Sequence, residues 1–172
     1  PLHRALRAGR RVAAMIERDE LAAWLRLVET PSIGLTSARR LLAAFGSPQA
    51  VVEAAPRQWR ELLEPGQAAA LADPPPELAA LVDTTWQWLQ SAEDAPRHVV
   101  VLGDTTYPRA LLETADPPLL LYGIGRAELL NAAAVAIVGS RNPTPQGGEN
   151  ARAFATALSQ AGLTVVSGLA LG

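Results

Sequence analysis

Gly139, Ser140 and Arg141 are the residues best placed to do chemistry, because backbone and side chain can grip an anion together there. They follow the apolar run Val135-Ala136-Ile137-Val138 and precede a helical stretch from about Gly147 to Ala161. A strand that hands over to a helix leaves bare N–H groups at the carboxyl edge of a sheet, beside the positive end of the helix dipole. Gly139 lets a phosphate approach closely. Ser140 can donate one hydrogen bond, and Arg141 offers a planar fork that matches phosphate oxygens. Thr144 adds a hydroxyl near the helix start, and Gly147 lets that helix begin close to a ligand. The plainer alternative is a tight turn at Gly139 and a solvated charge at Arg141.

A second loop of the same kind, Ser167-Gly168-Leu169-Ala170-Leu171-Gly172, ends the apolar run Leu163 to Val166. Parallel neighbours place their carboxyl ends side by side, so both loops would line one crevice. Small residues that only fit a packed helix are the competing explanation. Neither nucleotide signature is present. No Gly-x-Gly-x-x-Gly follows Val138, and a Walker loop needs a lysine, which the chain lacks.

A third element, Pro31-Ser32-Ile33-Gly34, joins two helical stretches and resembles a helix-hairpin-helix turn. Such turns hold DNA phosphates on backbone N–H groups at the second helix start. Ile33, Gly34, Arg39 and Arg40 are therefore secondary DNA-contact candidates. Ser32 replaces the usual first glycine and acids dominate the surroundings, so a structural hairpin with Ile33 buried is the competing expectation. No catalytic set emerges, since no serine, histidine and acid cluster or pair of carboxylates has a useful spacing. His3 and His98 stand far apart without ligand motifs, so no metal is expected. Of the four tryptophans, Trp24, Trp59 and Trp86 are expected in the core. Trp88 is a candidate for stacking on bases.

Two kinds of element must position these residues. Residues 12–92 read as short helices punctuated by proline. Leu21, Trp24, Leu25 and Val28 recur at helical spacing, and Thr30-Pro31 stops that helix. A second helix carries Leu35, Ala38, Leu41 and Leu42. Ser47 is placed to cap the next one, with Pro48 at its first position. Pro56 and Pro65 open two more, and a longer helix spans about Glu77 to Ala92. Near residue 97 the period changes. Val99 to Leu102 and Leu119 to Gly123 read as strands, with one helical turn at Pro108 to Leu112. Val135 to Val138 is a third strand. The following helix turns Ala151, Phe154, Ala155 and Leu158 inward and stops at Gly162. Leu163 to Val166 is a fourth strand, parallel to the third. Strand, glycine loop, helix and strand make a βαβ unit.

The expected class is therefore α/β: a partial Rossmann-like parallel sheet preceded by a small all-helical, helix-hairpin-helix or SAM-like domain. The domains are 1–96, with a basic extension over 1–20, and 97–172, an incomplete sheet that continues past Gly172. With 172 residues, 49 % of them apolar, the chain can build a core. No apolar run is long enough for a membrane helix, and no secretion signal is visible. With no cysteine there is no disulfide, which fits a reducing, cytoplasmic setting. The net charge of −2, with arginine as the only strong base, argues against a wholly basic binder. A nucleic-acid surface has to be assembled by folding.

The residues also carry a resemblance. Tyr107-Pro108, Leu111, Asp116-Pro117-Pro118 and Leu120-Leu121-Tyr122-Gly123 resemble the entry segment of the DNA-processing protein A family, DprA or Smf. Val135 to Arg141 with Thr144 and Gly147 resembles its central motif, and Val166 to Gly172 the next one. The resemblance covers about residues 21–172, most specifically in the second half. Gln146 departs from it, where the family often has an aromatic residue. The resemblance implies a single-stranded DNA-binding protein of natural transformation and recombination. Such a protein protects incoming strands and helps load the RecA recombinase. It needs no cofactor, is not an enzyme, and dimerises mainly through parts beyond Gly172. Gly139, Ser140 and Arg141 map onto the phosphate-contacting loop, and Ser167, Gly168, Leu169, Ala170 and Gly172 onto its neighbour. Two rivals are a nucleotide-binding enzyme that hydrolyses nucleoside monophosphates, with Glu149 as its nearest acid, and a helical protein-interaction module. The second would show an exposed apolar patch on residues 77–92.

Overall fold

The computed structural model describes residues 16–91 and 94–168. It divides into two compact units, Pro1–Ala127 and Glu128–Gly172. The boundary expected at residue 96 follows the change of period, whereas the compact units divide 31 residues later. The first strand pair packs with the helices, which is why the division falls there.

In the first unit, helix α1 (Arg18–Glu29) buries Leu21, Ala23, Trp24, Leu25 and Leu27. The Thr30 N–H and hydroxyl both donate to the Arg26 carbonyl, at 3.1 and 2.6 Å, and Pro31 then ends the helix. Helix α2 (Leu35–Phe45) buries Ala38, Leu41 and Leu42. It stops at Gly46, whose φ of 85° is the left-handed conformation of a helix end. Ser47 accepts a hydrogen bond from the Ala50 N–H at 3.1 Å, and Pro48 opens α3 (Pro48–Glu53), as the sequence predicts. Prolines also open α4 (Pro56–Trp59) and α5 (Pro65–Ala72). The Trp59 indole N–H donates to the Val51 carbonyl at 2.8 Å, so this buried ring keeps its polar atom satisfied. Helix α6 (Leu78–Gln90) buries Val82 and Thr85. Its Leu78, Leu81, Trp86, Trp88 and Leu89 are partly buried against the same core. The exposed patch that an interaction module would show on 77–92 is not found among the described residues there.

Strands β1 (Arg97–Val101) and β2 (Leu120–Ile124) pair antiparallel, from Arg97 opposite Ile124 to Val101 opposite Leu120. The Leu102 N–H extends the pairing to the Leu119 carbonyl at 2.8 Å. Between them lies one helical turn, α7 (Arg109–Leu112). The chain folds back through this connection, and the strands run opposite ways. They are not members of the parallel sheet expected from residue 97 onward. The turn's end is tied down twice. The Tyr107 hydroxyl donates to the Pro118 carbonyl at 2.7 Å. The Arg39 guanidinium on α2 pairs with Asp116 and donates to the Pro117 carbonyl at 3.1 Å. Burial raises the Tyr107 pKa, and the nearby Arg39 charge offsets part of that rise.

After a 3₁₀ turn (Ala127–Asn131), the second unit contains β3 (Ala134–Ala136), α8 (Pro145–Gln160) and β4 (Thr164–Val166). β3 and β4 are parallel, in the register Ala134–Thr164, Val135–Val165 and Ala136–Val166. The βαβ expectation holds here. A complete doubly wound sheet is not formed by the described residues. β3 stops at Ala136, two residues before the expected end, and Val138 is 88 % exposed. Ala151, Ala155 and Leu158 are half-buried on α8 as expected. Phe154 is not: it is 65 % exposed, because only two short strands lie under this helix and they cannot cover a wide face. Gly162, with φ 85°, ends the helix region as predicted.

Candidate nucleic-acid interface

The parallel register fixes the geometry of the second unit's loop edge. Ala136 and Val166 are direct partners, and the Ile137 N–H donates to the Val166 carbonyl at 2.9 Å. The segments leaving them therefore start side by side. One runs through Gly139, Ser140 and Arg141 to α8. The other begins with Ser167 and Gly168. All five residues are exposed. Leu169, Ala170 and Gly172, the rest of the predicted second loop, lie outside the described residues.

A side chain built on Gly139 or Gly168 would meet nothing within 4 Å. Packing does not call for glycine at either place, and Gly139 has no left-handed backbone to accommodate. What glycine supplies here is uncovered backbone, which a phosphate can approach. Ser140 is partly used within the loop, since its Oγ accepts from the Asn142 N–H at 3.1 Å. Its hydroxyl can still donate one hydrogen bond.

The start of α8 differs from the sequence reading in one respect. Thr144 is the helix cap: its Oγ1 accepts from the Gly147 N–H at 3.1 Å. Thr144 and Gly147 are therefore engaged with one another, and Gly147 is not a bare donor. Pro145 has no N–H, so Gln146 carries the remaining uncapped amide of the first turn. Its side chain donates to Asn150 Oδ1 at 3.0 Å. Glu149, the acid that an enzyme reading would need, is exposed on α8. Among the described residues no cluster of three or more histidines and acids could hold a metal ion.

The hairpin is a separate, weaker candidate in the first unit. Ile33 is buried, as predicted for a structural turn. Ser32 holds a φ of 67°, the left-handed conformation that favours glycine. Gln67 braces it by donating to the Ser32 carbonyl at 2.8 Å and to Ser37 Oγ at 3.2 Å. Gly34 caps α2 with open space beside its Cα. Arg39 and Arg40 each have a partner within the first unit. Arg39 is held by Asp116 and Pro117, and Arg40 donates to the Leu62 carbonyl at 3.0 Å. Sequence reasoning missed both bonds, since their acceptors lie 78 and 22 residues along the chain.

Two family models match these regions. The DprA-like N-terminal HHH domain covers residues 18–80, and DNA recombination-mediator protein A covers residues 98–172. Among curated relatives, Protein Smf of Synechocystis is 36 % identical over 91 residues, 51 % of this chain and 23 % of the relative. Protein Smf of Escherichia coli is 34 % identical over 92 residues, 53 % of this chain and 24 % of the relative. Protein Smf of Borreliella burgdorferi is 34 % identical over 74 residues, 43 % of this chain and 24 % of the relative. The matched stretch thus spans about a quarter of each relative. With both halves matched by models of one family, the chain belongs to the DprA/Smf family.

Proposed function

We propose that this chain binds single-stranded DNA through the loop edge of its second unit, as part of a recombination mediator that passes the strand to RecA. The observation that carries the reading is the parallel pairing of β3 with β4, which starts two exposed, glycine-bearing loops side by side. Family membership supports it. The ligand is the sugar–phosphate backbone, gripped by main-chain N–H groups and by Arg141, so binding is indifferent to base sequence. Strand protection during natural transformation, action in the cytoplasm and dimerisation of the whole protein belong to the same proposal. No catalytic step does.

Arg141 is the test. A guanidinium can hold two phosphate oxygens and stays charged at any working pH. Replacing it by alanine should weaken binding of all oligonucleotides about equally, by roughly ten- to a hundredfold. The log–log salt slope of binding should fall by roughly 0.7. Titration of R141A with oligo-dT at two salt concentrations, with melting measured in parallel, reads both. Unchanged affinity would reject the reading. Release of free base from a nucleoside monophosphate, abolished in E149Q, would favour the enzyme instead.

A further inference from the structure

On the first unit, the antiparallel sheet carries an aromatic and cationic group that the loop edge does not use. Directly opposed strand residues point to the same side, and alternate residues share a face. Tyr122 and Ile124 on β2 therefore share a face with Val99 and Arg97 on β1. Val99 and Val101 are buried on that face, whereas Tyr122 is 54 % and Ile124 68 % exposed. The packed face opens to solvent at its Arg97–Ile124 end. There the rings of Trp88 and Tyr122 meet edge to face, with centroids 5.5 Å apart and planes at 80°. The Arg97 guanidinium lies 5.5 Å from the Trp88 ring centroid. Its Nη1 donates to the Trp88 carbonyl at 3.1 Å and to Ser91 Oγ.

We infer that Tyr122, backed by Trp88 and flanked by Arg97 and Ile124, is a stacking platform for one base of a single strand. Three properties favour a base. A half-exposed tyrosine held by a neighbouring ring is already ordered, so little rotamer freedom is lost on binding. Every base has a flat face, so stacking on it is tolerant of sequence. Arg97, opposite Ile124 and over the Trp88 ring, puts positive charge beside the apolar pair, complementary to a phosphate backbone. A second copy of the chain fits less well. Two exposed apolar side chains beside Arg97 fall far short of the roughly 1,000 Å² that a specific protein interface buries.

The inference rests on the proposed ligand but on different residues, so the two can fail separately. Oligo-dT carrying 5-iodouracil should, on long-wavelength irradiation, crosslink to the peptide containing Tyr122. Y122A and Y122L should both bind oligo-dT more weakly, by roughly five- to a hundredfold, and Y122W should bind as well as the parent. All three should remain folded at the temperature of the binding assay, because the ring is half in solvent. If Y122A and Y122L bind normally and crosslinks fall only within 139–168, the platform is rejected and the loop edge stands. If R141A binds normally while Y122A does not, the platform stands and the loop edge falls. Self-association that Y122A abolishes, with DNA binding untouched, assigns the surface to a second copy and overturns the inference. Failure of the parent chain to bind any single strand overturns both.

Discussion

Ser32 is a residue whose type and backbone disagree. A side chain at φ 67° crowds the following carbonyl, at a cost of about 1–2 kcal/mol, which glycine avoids. Ser32→Gly should therefore stabilise the chain by a fraction of that, because glycine also loosens the unfolded state. A small rise in melting temperature would show it, and a fall would mean that the serine side chain is needed in the turn. Arg39 carries the opposite lesson. Only 14 % of its side chain is exposed, and it bridges α2 to the turn before β2. Arg39→Ala should cost about 1–3 kcal/mol of stability and leave oligo-dT affinity within tenfold. Titration and melting of the same variant check both halves of that expectation. Tyr107 belongs to this cluster and gives it a pH dependence. Its pKa in the fold is raised by burial above the ordinary value of about 10. Above that value the unfolded chain releases the proton first, so stability is complete below about pH 10 and declines as pH rises further. Tyr107→Phe should remove this alkaline slope, at the cost of the bond to Pro118. Denaturant midpoints measured from pH 8 to 11 on both proteins would settle it.

Elements were more legible than residues. Prolines at positions 48, 56 and 65, the Ser47 cap and the glycines at 46 and 162 act through bonds within one turn, and each appears where the sequence put it. The parallel β3–β4 pair was legible for a similar reason, since a helix between two apolar runs leaves few other routes. What local pattern could not supply was which partners are brought in from far away. Arg39 is only a secondary DNA-contact candidate in the sequence because its helix follows a hairpin, and nothing near it in sequence announces Asp116. Phe154 looked buried because its spacing is right, but burial depends on how wide a sheet lies beneath it. Thr144 was read for its chemistry when its position also makes it a cap. That gives an element-scale expectation. Thr144→Ala should destabilise α8 by about 1 kcal/mol, while Thr144→Ser should preserve it. Amide exchange at the first turn of α8 would distinguish them, and equal protection in both variants would show that the cap contributes nothing.

Across the whole molecule the core is unevenly shared. Every fully buried apolar residue in the main cluster lies between Leu21 and Leu119, within the first unit. The second unit's strands have three residues each, and α8 has no fully buried side chain among those described. Local stability follows buried contacts, so amide protection should be high in α1, α2 and β1 and much lower in β3, β4 and α8. Hydrogen exchange read by mass spectrometry would test this, and uniform protection would contradict it. No described helix is long and apolar enough to cross a membrane.

The clasp between Arg39 and Asp116 also bears on the order in which the first unit assembles. Its two ends are 77 residues apart. Joining them early would mean closing a long loop before most native contacts exist to compensate for the lost chain entropy. The helix caps and proline starts close over three or four residues and carry no such penalty. The clasp should therefore be absent from the folding transition state and form on the downhill side. Removing it should leave the folding rate almost unchanged and speed unfolding by nearly its whole equilibrium effect, a φ-value close to zero. In that case Arg39 governs how long the folded first unit lasts and has little influence on how fast it forms.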